Sequence, residues 1–302
     1  MRIGILGDVH LRATKPINRI DNYYEKQFEK LAFAFDTFKK NKCEIVIQPG
    51  DFFHNYGKDP YSITYDAIAF LMLKKLPVYL VFGQHDVKFH NTDLTDIPIQ
   101  ILNKTSLITK LEQKPVKVND VYLYGKSWNE KWPDKVKRSR KAKNILVLHS
   151  MVINGEKLWA DQTDYITAKE LAEQSYDLVV CGDNHNSFIY EDKVVNCGSL
   201  MRMSSDQINH NPMCVIYDTE AEELHEFLYP VETYESVFRF DQRKEDKSLE
   251  EEKRQIFVKS LNDQEFEAEL NFRENINKVM KRKRCRPRTK DIIEESLTGA
   301  VA

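Results

Sequence analysis

Residues 78–86 read VYLVFGQHD. Five apolar residues run into a glycine and are followed at once by three polar side chains. An apolar run of that length, bounded by a glycine, reads as a buried strand. Nothing about folding such a strand requires Gln-His-Asp behind it. The same grammar recurs along the chain. Residues 3–6 lead into Gly7-Asp8-Val9-His10, and residues 45–47 into Gly50-Asp51-Phe52-Phe53-His54. Residues 145–148 end at His149, and residues 178–180 lead into Gly182-Asp183-Asn184-His185. Between the strands lie helical patterns: Phe28, Leu31, Phe35 and Phe38 fall at steps of three and four, one face of a helix. Strand alternating with helix predicts an α/β sheet covered by helices.

The chain has 302 residues, enough for one large domain or a main domain with a smaller one. A net charge of −2 selects no partner by itself. Five cysteines, odd in number and without CxxC spacing, argue against a disulfide framework and for a reducing compartment. Met1 leads directly into a short strand without a signal peptide, and no apolar run approaches the roughly 20 residues of a membrane helix. The expectation is a cytoplasmic protein that does not enter membranes. After about residue 241 the composition turns rich in Glu, Lys and Arg. We therefore expect a main domain over residues 1–230 and a helical extension over 231–302.

In open α/β sheets, ligands bind outside the carboxyl ends of the strands. Five predicted strands thus deliver polar side chains to one edge, including five of the eight histidines in the chain. Carboxylate, amide and imidazole together suit borderline-to-hard divalent ions such as manganese or iron. Two such ions about 3.5–4 Å apart can activate a water and draw charge from a phosphoryl group.

The ordered set resembles the calcineurin-like metallophosphoesterase superfamily, whose signature runs D-x-H, G-D-x-x-H, G-N-H-[DE], H and G-H-x-H. The match covers roughly residues 1–200. The resemblance implies a four-layer sandwich, two mixed sheets flanked by helices. It implies that Asp8, His10, Asp51 and His185 hold one metal, and Asp51, Gln84, His149 and Asp183 a second. It gives His85 the role of protonating the leaving oxygen, Asp86 that of orienting the His85 ring, and His54 a contact to the phosphate. Two positions depart from the pattern. Gln84 stands where the family usually has Asn, and Asp183 where it usually has the first His of G-H-x-H. Both fall on the second metal, which predicts a weaker or differently selective site there.

Finer strings, GDVHL, GDFFH, YGKSW at 124–128 and NCGSLMR at 196–202, resemble the SbcD family of DNA nuclease subunits and its phage counterparts. That resemblance implies a manganese-dependent exonuclease or endonuclease in DNA repair or recombination. It also implies a homodimer, a docking helix for an SMC-like, SbcC-type ATPase, and, for a phage-type version, residence in the host cytoplasm. Residues 131–143 carry seven basic residues and one acid; residues 278–290 carry eight and none. Lys137, Arg138, Arg140 and Lys141 in the first run, and Arg282, Lys283 and Arg284 in the second, are candidate contacts to a nucleic-acid backbone. Ile292, Ile293 and Leu297 have the spacing of a docking stripe. Residues 28–38 or 68–73 are candidates for a dimer face. Other readings remain: a phosphatase or phosphodiesterase for a small or protein substrate, or a phosphoesterase fold without catalysis. Cys181 and Cys197 read as small apolar packing residues. His90, His210 and His225 read as ordinary surface or loop residues.

Overall fold

The computed structural model describes residues 1–57, 61–88, 97–133, 136, 142–155, 163–204 and 207–239. The chain divides into two units, Met1–Arg239 and Phe240–Ala302, the second outside the described residues. Lys137, Arg138, Arg140, Lys141, Arg282, Lys283, Arg284 and the 292–297 stripe therefore lie outside the description, as does His90.

In chain order the elements are β1 (Arg2–Ile5), α1 (Tyr23–Lys40), β2 (Ile45–Gln48), α2 (Tyr61–Lys74), β3 (Val78–Leu80), α3 (Pro98–Lys104), β4 (Thr109–Lys110), β5 (Val116–Val118), β6 (Val121–Lys126) and β7 (Lys143–His149). They continue with β8 (Val152–Ile153), β9 (Ile166–Thr167), α4 (Ala168–Ala172), β10 (Leu178–Gly182), β11 (Phe188–Tyr190), β12 (Val194–Asn196), β13 (Met213–Asp218), β14 (Glu223–Leu228) and α5 (Tyr234–Val237). One mixed sheet has the order β14-β13-β1-β2-β3-β4 and a second β11-β12-β10-β7-β6-β5; β8 and β9 pair separately. β1 to β4 run parallel, as do β6, β7, β10 and β12. This is the expected pair of mixed sheets flanked by helices.

The alternation of side chains along a strand builds the layers. Ile45 and Ile47 join Ile3, Ile5, Ile145, Val147, Leu178 and Val180 in the layer shared by strands of both sheets. Val46, between them, joins Phe35, Phe38, Ala67 and Leu102 beneath α1, α2 and α3. On the far face of the second sheet, Leu146, Leu148 and Val179 pack with Ala168 and Leu171 of α4. Strands buried on both faces read as unbroken apolar runs, which is why these strands are conspicuous in the sequence.

α1 begins at Asn22, whose side chain accepts from the Glu25 amide, and ends in Lys39 and Lys40, complementing the helix dipole. Its stripe Leu31, Phe35 and Phe38 packs into the domain core. The α2 residues Tyr61, Tyr65, Met72 and Leu73 remain exposed. Residues 231–239, assigned from sequence to the extension, meet residues 18–23: the Arg19 guanidinium lies 5.0 Å from the Tyr23 ring centre and 5.1 Å from that of Phe238. No helix among the described residues is long and apolar enough to cross a membrane.

Gly4 sits where β1 meets α1. A Cβ there would come 2.6 Å from the Phe38 ring, inside van der Waals contact. We expect Gly4→Ala to lose about 1–3 kcal/mol through overpacking, read from the urea midpoint; an unchanged midpoint would show that α1 can retreat freely.

Candidate metal centre

Each polar cluster singled out in the sequence follows a strand, and the two sheets bring them together along their shared edge. β1 delivers Asp8 and His10, β2 delivers Asp51 and His54, and β3 delivers Gln84 and His85. From the other sheet, β7 ends at His149 and β10 leads to Asp183 and His185. Cross-seam hydrogen bonds lock the set. The Asp183 amide donates to Asp8 Oδ2 at 2.8 Å, joining the end of β10 to that of β1. His149 Nδ1 lies 2.7 Å from the Pro49 carbonyl oxygen. A carbonyl only accepts, so Nδ1 carries a proton, and Nε2 is the nitrogen that would ligate a metal once its own proton is displaced.

Three members of the set, His10 (φ 50°), Asp51 (φ 53°) and Asp183 (φ 83°), adopt left-handed backbone conformations unusual for non-glycine residues. Such strain persists where the surroundings fix it, and it clusters at functional sites. Close packing adds to the constraint: a Cβ on Gly83 would stand 2.0 Å from Asp51 Oδ1, so only glycine lets β3 release its chain beside that carboxylate.

Distances within the cluster suit ions. His10 Nε2 and His185 Nε2 are 3.1 Å apart, close to the roughly 3 Å expected between two nitrogens each about 2.0–2.1 Å from one metal. Asp51 Oδ2 lies 3.6 Å from His10 Nε2 and 3.4 Å from His149 Nε2, within reach of a histidine from each expected ligand set. Asp8 with His10 and His185, and Asp8 with Asp51 and His149, each gather donor atoms closely enough to share an ion.

The burial of these groups tests whether a cation belongs there. Asp8 Oδ1, Asp51 Oδ2, Gln84 Oε1 and His149 Nε2 are buried without a hydrogen-bond partner. Buried polar atoms are nearly always satisfied; Asp51 Oδ2 and His149 Nε2 have only each other, at 3.4 Å, and Asp8 Oδ1 and Gln84 Oε1 have no partner, a set that calls for a ligand. Burial pushes Asp8 well above the usual carboxylate range. Burial would raise Asp51 too, but the His149 charge and the nearby imidazoles hold it well below that range. His149, which burial alone would depress, is lifted to about 10 by Asp51, Asp8 and Asp183. Burial holds His10 and His185 below the usual imidazole value, and His54 at about 4, so these rings stay neutral and able to ligate. Burial works against charge on Asp8 while Asp51 is held ionised, and divalent ions would stabilise both as carboxylates.

The family profile of the calcineurin-like phosphoesterases matches residues 1–187. The chain belongs to the calcineurin-like phosphoesterase family. No curated protein sequence matches it. Among solved structures it is similar to a dimetal phosphatase from Danio rerio, at 12% identity over 76% of this chain and 99% of that one, with a TM-score of 0.44.

The structure answers why this phosphoesterase carries Gln at position 84. Gln84 Nε2 donates to Asp183 Oδ1 at 2.7 Å, leaving Gln84 Oε1 unpartnered. The two departures from the family pattern are one arrangement. The added methylene carries the amide nitrogen to the carboxylate that replaces a histidine, and the amide oxygen remains available to an ion.

Asp86 corrects the sequence reading. Its carboxylate does not orient the His85 ring; it accepts from the backbone amides of Phe52 (3.3 Å), Phe53 (2.9 Å) and Gly83 (3.0 Å). A short carboxylate in a turn folds back readily onto nearby amides, and here it ties the loop after β3 to the loop after β2. Burial, with the Asp51 charge, raises it to about 7. The His85 ring is held instead by the His54 carbonyl, 2.9 Å from Nδ1, and stacks on the His54 ring at 5.0 Å.

Other residues of the setting went unread in the sequence. Gln48 Nε2 donates to Gly7 O at 3.2 Å and to Gly50 O, joining two ligand loops. The only sequence signal was a polar residue ending an apolar run. Asn196 Nδ2 donates to the carbonyls of Asn184 and Asn186, fixing the turn that carries His185. His210, read from sequence as a surface or loop residue, is buried, with Nε2 2.7 Å from the Ser199 carbonyl oxygen. Ser199 in turn bridges to Asp8.

Two outcomes are expected. Elemental analysis after dialysis against manganese should find two ions per chain, falling to about one in Gln84→Ala; two ions in the variant would remove Gln84 from the ligand set. Burial holds His210 at about 4, whereas the unfolded chain takes up that proton near 6.5. The unfolded state thus binds more protons between those values, and stability falls as the pH drops from about 6.5 to about 4. The loss is at most about 3–4 kcal/mol, at 1.36 kcal/mol per pKa unit. Urea midpoints across that window should fall less steeply in His210→Gln than in the wild type.

Proposed function

We propose that the chain is a metal-dependent nuclease of the SbcD type, hydrolysing phosphodiester bonds of DNA with two divalent ions, manganese foremost. The observation that carries phosphoester hydrolysis is the convergence of four buried donors, Asp8, Asp51, Gln84 and His149, beside His10 and His185. The narrowing to DNA is supported by the strings YGKSW and NCGSLMR and by the basic runs.

Asp8, His10, Asp51 and His185 would hold one ion, and Asp51, Gln84, His149 and Asp183 the other. Bound there, divalent ions supply charge neutralisation at the phosphoryl oxygens and a water acidic enough to attack at neutral pH. The chain's own residues do the rest. His85 is partly exposed beside the cluster, with Nδ1 engaged by the His54 carbonyl. Its Nε2 is therefore the nitrogen left to pass a proton to the departing oxygen. His54, stacked on that ring, limits its rotation. Asp86 acts from behind by holding the two loops together. The same reading extends to partners. Residues 287–302 would dock an SMC-like ATPase, and a second copy would meet the exposed side chains of α2.

End-labelled duplex and single-stranded DNA should be degraded in manganese, with His85→Ala slower by about 10²–10⁴-fold. Turnover of nitrophenyl phosphate without loss of DNA would favour a phosphatase instead. Loss of DNA at the wild-type rate in His85→Ala would remove His85 from the mechanism.

A further inference from the structure

A cavity of about 550 Å³ opens beside the metal cluster, off the carboxyl ends of β6, β7 and β10. Its lining includes Lys126, Trp128, Trp132, Ser150, Tyr165 and Asp183. Asp183 belongs to the metal cluster as well, and Ser150 directly follows His149, so the cavity adjoins the place where a phosphoryl group would be held. The volume lies within the roughly 300–1,000 Å³ of small-molecule sites.

The lining is specific in two respects. Three aromatic side chains share one cavity, and Trp132 is 42% exposed although it is a large apolar residue. Its ring is held from the inside: Lys126 Nζ lies 5.3 Å from the Trp132 ring centre and donates to Ser150 Oγ at 3.1 Å. An indole that lines a cavity and is fixed in this way offers a stacking surface. The charge is the second feature. Among the described lining residues, the ammonium of Lys126 stands against the carboxylates of Glu130, Asp164 and Asp183, and Glu130 is further paired with Lys110 at 2.8 Å. Such a lining disfavours a second phosphate and admits a neutral, flat, aromatic group, as the terminal nucleoside of a strand offers.

We propose that this cavity is a nucleoside subsite, in which Trp132, with Trp128 and Tyr165, receives the base next to the phosphodiester held at the metal cluster. The inference rests on the diesterase reading above and narrows it: the enzyme grips a nucleoside on one side of the phosphate, with Lys126 and Ser150 setting the Trp132 ring.

The test uses the metal-loaded full chain with thymidine and adenosine, which lack a phosphoester and so cannot be turned over. Saturation-transfer NMR titrations should show saturable binding of both nucleosides, and none of methyl deoxyriboside, which lacks a base. Trp132→Ala should weaken nucleoside binding at least about tenfold, in keeping with the loss of one stacking contact, while its thermal midpoint stays that of the wild type. Trp132→Phe, which keeps a ring, should restore most of the affinity, and Tyr165→Ala should also weaken binding. No nucleoside binding to the wild type, or equal binding to Trp132→Ala, would overturn the proposal. The two readings fail separately. DNA left intact while nucleosides bind at Trp132 would sink the nuclease and spare the subsite; DNA cleaved without nucleoside binding would do the reverse.

Discussion

Negative charge buried at the seam between two sheets is the constraint around which this molecule is arranged. Asp8 and Asp51 are almost wholly shielded from water, and Asp183 stands beside them. Moving ionised carboxylates out of water is severely unfavourable unless they are paired or coordinate a cation. Beside them stand His149, which the carboxylates lift toward its charged form, and the rings of His10 and His185, which burial holds neutral. Positive charge from outside is what such an arrangement lacks. The cross-seam bonds, from Asp183 N to Asp8 and from His149 to Pro49, keep the carboxylates from relaxing apart. The scaffold therefore holds ready a geometry that would otherwise disperse.

Much of this was legible because burial and chemistry leave different marks. The strands β1, β2, β3, β7 and β10 are covered on both faces, so their sequences are apolar without interruption, and whatever follows them stands out. Asp8, Asp51, His149 and the Gln84-His85 pair were visible as breaks in that pattern. The helix stripe Phe28, Leu31, Phe35 and Phe38 was equally visible, since three of its members lie in the core.

What escaped were residues whose work is done through the backbone. Asp86 looks, next to His85, like a partner for its ring; only the folded loops reveal three amides within its reach. Gln48 and Asn196 hold carbonyls and leave no spacing pattern behind. His210 lies in an irregular stretch where periodicity says nothing of burial, and its partner Ser199 lies eleven residues earlier in the chain. Tertiary contacts of this kind have no local grammar. Around Trp128 and Trp132, too, the sequence does not show that both line a cavity shared with Asp183.

The hydrogen bond between Gln84 and Asp183 has a consequence for descent. Each side chain makes sense only in the presence of the other. Asn at 84 lacks the length to grasp the carboxylate, and His at 183 would confront the glutamine amide with a ring. Substitutions at the two positions should thus be epistatic.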